Sequence, residues 1–278
     1  MSTTPRLFLV LAASLLTIAL LTTHTSLAAF IQTYQATGNL QVEVAGAANL
    51  VPPAMGTVTL TGIPSGTIKR AYFYATQTNN TLGLSLTFNG APLGTAGPYA
   101  SEALLITLST YRWDVTSSII PGVASYGFSV LDGMGIPVAV AGVGLVVVWE
   151  DVSEPLRTVT IVDGVKQVGE SGAETESMTF TGLPSGNTTV WIFTTDDDSS
   201  TGETVSYNAV NIGGPLIGNL GLNASVLQMT GTSVLGSNTL SISTVTDHLT
   251  WVLGVTAIGQ SPVPAEESTW GKIKSLYR

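Results

Sequence analysis

Three adjacent carboxylates, Asp196–Asp197–Asp198, form the densest acidic run in the chain. They follow the β-forming run Val190 to Thr195 and precede Ser199–Ser200–Thr201–Gly202–Glu203. Neighbouring carboxylates repel one another unless water or a cation separates their charges. Calcium takes roughly six to eight oxygen ligands from carboxylates, carbonyls and hydroxyls, and this stretch offers all three. The spacing is not that of an EF-hand, which alternates its ligands around a central glycine. The expectations are therefore a calcium site at Asp196, Asp197 and Asp198, or a solvated acidic loop. The matching stretch of the first half, Gln77–Thr78–Asn79–Asn80, carries no carboxylate, so such a site would belong to the second half alone.

Catalytic side chains are scarce. There is no cysteine, which excludes disulfides, thiolate metal sites and cysteine nucleophiles. Beyond the first 28 residues the histidine is His248, next to Asp247. Neighbours in a strand point to opposite faces, so this pair forms no relay by itself, and no Gly-x-Ser-x-Gly elbow is present. A distant carboxylate pair for glycoside hydrolysis stays open as an alternative. For the aromatic side chains Tyr72, Tyr74, Trp113, Trp191 and Trp251 the readings are core or interface packing and, as the alternative, sugar stacking. Alternation in Ala71–Tyr72–Phe73–Tyr74 sends both tyrosines one way and Phe73 the other, so the tyrosines line either a glycan surface or an internal contact.

The elements that must hold these residues are strands. Short runs rich in Val, Ile, Thr, Tyr and Phe alternate with clusters of Gly, Pro, Asn and Ser. Leu60–Thr61–Gly62–Ile63–Pro64–Ser65–Gly66 returns as Phe180–Thr181–Gly182–Leu183–Pro184–Ser185–Gly186. Each copy leads into an aromatic strand, then into a run ending at Asn89 or Asn208, and closes on the most apolar run of its half. This repeat is far longer than the about 20–50 residues of solenoid units, and it reads as a domain duplication. The runs Val138 to Trp149 and Leu249 to Ile258 are too short for membrane helices, and the first reads as a strand buried on both faces. Asn89–Gly90 suits a tight type I′ hairpin. Asn208–Ala209 lacks the glycine, and a different turn is expected there. The fold class is all-β, with two tandem, related antiparallel sandwiches of jelly-roll type.

The ends carry other signals. Arg6, an apolar run of about 15 residues and Ser26–Leu27–Ala28 describe a secretory leader cleaved after Ala28. The expected layout is a signal peptide at 1–28, sandwiches at 30–154 and 155–260, and a linker and tail at 261–278. In that tail Trp270, Ile273, Leu276 and Tyr277 fall at helical spacing behind Pro262 and Pro264, as in a sorting or attachment tag or a docking segment. The formal net charge is −9, and Lys272, Lys274 and Arg278 sit at the extreme end. Such an acidic body lacks the basic footprint that nucleic acid requires. No transmembrane span is expected after the leader.

The Ala71–Tyr74 strand, Thr87–Phe88–Asn89–Gly90, Asp114–Val115–Thr116 and the run Gly144 to Trp149 before Glu150–Asp151 give the first half a resemblance. It resembles poorly characterised exported β-sandwich domains of prokaryotic cell-surface proteins, which implies location and fold, without an activity. The expected function is an exported structural or adhesive protein of the cell surface or matrix, without catalysis, partnered by other surface proteins or glycans. The alternatives are a secreted carbohydrate-binding protein and an extracellular hydrolase.

Overall fold

A computed structural model of the chain describes residues 29–79, 83–103, 106–169, 173–195, 202–216, 224–244 and 248–260. The leader, Asp196–Asp198, Asp247 and the C-terminal tail lie outside these residues. The first half contains β1 (Ile31–Gly38), β2 (Leu40–Leu50), β3 (Ala54–Thr59), β4 (Thr67–Thr78), β5 (Leu84–Phe88), β6 (Ala91–Ala96), β7 (Ala100–Ala103), β8 (Thr107–Asp114), β9 (Ser125–Asp132) and β10 (Val140–Glu150). The second contains β11 (Arg157–Gly169), β12 (Thr175–Leu183), β13 (Gly186–Thr195), β14 (Thr204–Tyr207), β15 (Val210–Gly213), β16 (Ala224–Ser233), β17 (Gly236–Ser243) and β18 (His248–Gly259). The described residues hold one 3-10 turn, Thr116–Ser118, and no helix long and apolar enough to cross a membrane.

The strands form four antiparallel sheets. The first unit pairs an inner sheet, β2-β10-β4-β8-β7, with an outer sheet, β3-β9-β5-β6. The second pairs an inner sheet, β1-β11-β18-β13-β16, with an outer sheet, β12-β17-β14-β15. Replacing β2, β10, β4 and β8 by β11, β18, β13 and β16 reproduces the inner order, so one strand order occurs twice. The segment Ile31–Gly38, grouped by sequence with residues 30–154, lies in the second unit's sheet, from Ile31 opposite Asp163 to Gly38 opposite Arg157. Asn39 alone separates it from β2 in the other inner sheet.

The two inner sheets pack face to face, so four layers enclose three cores. Val143, Leu145, Val147 and Trp149 of β10 enter the first unit's core, while Val146 and Val148 enter the core between the units. Leu249, Trp251 and Ile258 of β18 enter the second unit's core, and Val252, Leu253, Val255 and Ala257 enter the shared one. A strand between two cores has no solvent face, hence the unbroken apolar runs. Each fully buried Val or Leu contributes about 1.5–3 kcal/mol, so the shared core is a large part of the molecule's stability. Its closeness shows at Gly144, where a Cβ would stand 2.8 Å from the Phe193 ring.

One turn differs from expectation. Asn89 and Gly90 have φ of 52° and 81°, and Asn208 and Ala209 have 51° and 63°. Both hairpins therefore use left-handed residues at both corners, and Ala209 accepts the strain that glycine avoids. Asn208 helps impose it: its Oδ1 accepts from the Thr239 amide at 3.0 Å, and its Nδ2 donates to the Thr232 carbonyl and to Asn238.

Candidate functional site

The structure buries every aromatic side chain proposed for sugar stacking. Trp113 lies in the first core, Trp251 in the third, and Tyr72, Tyr74 and Trp191 in the shared one. Of the two readings the internal contact is the one that forms: with inner strands covered on both faces, neither alternation set reaches solvent. Of the Asp247–His248 pair only His248 is described, and its Nε2 lies 3.5 Å from the Gln167 side-chain oxygen.

What the shared core holds instead is a carboxylate cluster. Asp163 is fully buried. It sits at the end of the regular β11–β18 register, just before the slip between the pairs Asp163–Leu253 and Lys166–Trp251, and the alternation that puts Val159 and Ile161 into the shared core turns its side chain toward the first unit. Its Oδ2 accepts from the Tyr74 hydroxyl at 2.6 Å, from Arg112 Nη1 at 2.9 Å and from the Thr33 hydroxyl at 3.2 Å. Its Oδ1 accepts from the Tyr99 hydroxyl at 2.8 Å and again from Arg112 at 3.2 Å. The Arg112 guanidinium lies 3.8 Å from the Tyr99 ring centre and 4.7 Å from that of Tyr72. A buried charge is tolerable only when paired and hydrogen-bonded, and here β4, β8 and the segment before β7 of the first unit supply the partners, joined by Thr33 of β1.

The electrostatics follow from that burial. Desolvation pushes the Tyr74 and Tyr99 hydroxyls well above their ordinary range, and the adjacent Asp163 pushes them further. Burial works against the charge on Arg112, but Asp163, Tyr74 and Tyr99 outweigh it and hold the guanidinium protonated. Both tyrosines are thus fixed as neutral donors. Beside them Glu102 of β7 meets Lys166 Nζ at 3.1 Å, and Gln167 donates to the Glu102 and Ile106 carbonyls at 3.2 and 3.3 Å. The chemistry of this constellation is cohesive: both lone-pair-rich groups are spent on donors across the unit boundary, and Asp163 is closed to solvent.

Sequence reasoning passed over Asp163, Arg112, Tyr99 and Glu102. One signal was available. Thr158–Val159–Thr160–Ile161–Val162–Asp163–Gly164–Val165 is a strand run in which one acidic residue interrupts apolar and hydroxyl side chains. An ionisable group in such a run demands a buried partner.

A second candidate lies on the surface. The outer sheet of the second unit turns Met178, Phe180, Leu240 and Ile242 inward, and alternation leaves hydroxyls outward. Thr175, Ser243 and Thr204 share one cross-strand row, and Ser177, Ser241 and Ser206 the next. Thr179 and Thr239 form a third. Neighbouring hydroxyls bond along the rows, at 2.8 Å for Thr175–Ser243 and 2.9 Å for Ser177–Ser241. A separate groove of ≈ 820 Å³ beside the β14–β15 hairpin is lined by Asn187, Thr189, Thr230 and Ala257 on the inner-sheet side turned to the first unit, and by Val210 and Asn211 of β15. Its cation, Arg157, is committed to Gln41 and Glu154.

No family model and no curated protein matches the chain. The solved structures that match the chain are distant. A conserved protein of unknown function from Pseudomonas aeruginosa is 10% identical, with a TM-score of 0.34 over 83% of this chain and 89% of that one. The major capsid protein of bacteriophage PM2 is 8% identical, with a TM-score of 0.25 over 83% and 99%. A β-porphyranase of glycoside hydrolase family 86 from Bacteroides plebeius is 13% identical, with a TM-score of 0.26 over 74% of this chain and 39% of that one.

Proposed function

We propose that the chain is an exported structural or adhesive component of the cell surface or matrix, acting by binding rather than by catalysis. The observation that carries this reading is the shared core with its buried Asp163–Arg112 pair, which welds two sandwiches into one four-layer body. A rigid body with two broad, polar outer faces suits a spacer or adhesin. The leader-like start supports export, and the matching strand orders support an origin by duplication. Calcium at Asp196, Asp197 and Asp198 is part of the proposal on sequence grounds alone; equal melting temperatures with calcium and with chelator would remove it.

The test is expression of the full chain with an internal epitope tag, followed by fractionation and mass spectrometry of the amino terminus. The expected result is a mature chain beginning at Ala29, accessible to antibody or protease on intact cells or found in the medium. A cytosolic chain that retains Met1 would overturn the reading.

A further inference from the structure

The two outer sheets have the same strand order but different coats. In the first unit the hydroxyl rows are interrupted: Met55 stands opposite Ser129, Thr57 opposite Gly127, and Leu131 opposite Ser85. Met55 is 57% exposed. In the second unit the corresponding face presents its three rows without an apolar or charged interruption. Glu176 turns inward to Lys166, at 4.0 Å, and Glu203 is buried. The face is therefore neutral and periodic. Strands lie about 4.8 Å apart and same-face residues about 6.8 Å apart along a strand.

We propose that this face of β12-β17-β14 binds a neutral, extended polysaccharide. The inference rests on the surface-adhesive reading and names its partner. An anionic polymer requires cations, and the rows contain none. A protein partner requires a buried apolar or aromatic centre, and every outward side chain of the rows is a hydroxyl. A hydroxyl offers one donor and two acceptor positions, so each bonded Ser–Thr pair keeps a proton and lone pairs for a ligand that is itself rich in hydroxyls. A periodic face is matched by a periodic polymer.

The experiment is depletion of the purified full chain from solution by microcrystalline cellulose and by chitin, with alginate beads as an anionic comparison and ice-crystal shaping as a second. The expected result is depletion by cellulose or chitin that is unchanged between low and high salt, since no charge is available to screen. Ser177→Lys with Thr239→Lys should weaken it tenfold or more, while Thr57→Lys on the first unit's outer sheet leaves it unchanged. Should the lysine variant melt early, Ser177→Ala with Ser241→Ala supplies the same test with a milder change. Absence of depletion by both neutral polymers, equal loss from both outer sheets, or activity confined to alginate or ice would each overturn the inference. Cell-surface exposure with no such depletion would sink this inference and leave the adhesive reading standing.

Discussion

The two long edges of the shared core differ in kind although the strand order matches them. At one edge β7 and β8 lie over β11, and at the other β2 lies over β16. Tyr74 pairs with Gly144 and Arg112, and Gly144 pairs with Gly46. Phe193 pairs with Leu253 and Val226, and Leu253 pairs with Asp163. The Tyr74–Arg112–Asp163 set of one edge therefore answers to Phe193–Val226–Gly46 at the other. One edge is locked by charge and the other closed by packing, with Phe193 lying against the bare Cα of Gly144. Identical backbone schemes thus reach cohesion by two routes, and the polar route also fixes register, because few placements satisfy all five hydrogen bonds of Asp163.

Removing one member of the polar set tests this difference most severely. Asp163→Ala leaves Arg112 and two tyrosine hydroxyls without their acceptor, and urea unfolding should show a loss of about 3–5 kcal/mol. Replacing the set together, with Tyr74→Phe, Arg112→Val and Asp163→Ala, imitates the opposite edge and should cost clearly less. A triple variant weaker than the single one would break the comparison. At the apolar edge, Gly144→Val places atoms where Phe193 sits and should cost about 1–3 kcal/mol through overpacking.

Smaller effects sharpen the picture. Ala209→Gly relieves the left-handed strain that Gly90 avoids in the matching hairpin and should raise stability by about 0.5–1 kcal/mol, read as a higher melting temperature. Gly90→Ala should lose a similar amount. At high pH the buried tyrosines come into play. Burial holds Tyr74 well above its ordinary range and Tyr111 at about 12. A phenol whose folded pKa is raised contributes stability that is complete below the unfolded value of about 10 and is lost as pH rises through the folded one. Tyrosinate absorbance and loss of the β circular-dichroism signal should therefore rise together above that pH, later in Tyr74→Phe. Ionisation without unfolding would show that these hydroxyls are free.

Much of the fold was legible because alternation and turn chemistry are local. The run Val138 to Trp149 called for a strand with no solvent face, which β10 supplies from Val140 onward, and the paired tyrosines at Tyr72 and Tyr74 were correctly set opposite Phe73. The turn at Asn208–Ala209 was misread because propensity ranks alanine poorly at positive φ, whereas Asn208's bonds to Thr232, Asn238 and Thr239 come from residues distant in sequence. The choice between a glycan surface and an internal contact for the aromatics stayed open for a related reason. Aromatic content marks a residue as costly to expose, but whether a second sheet covers it depends on how the two units meet.

By itself the sequence determined the strand character, the doubled landmarks and the scarcity of catalytic side chains, all consequences of residue type and short-range spacing. Tertiary structure alone decided that the acidic run has a silent rival in Asp163, that Ile31–Gly38 completes the second unit's sheet, and that the hydroxyls of β12, β17 and β14 align into rows. Each depends on register between strands far apart in the chain. Register is set by the packing of whole faces, since a one-residue slip would exchange core for surface.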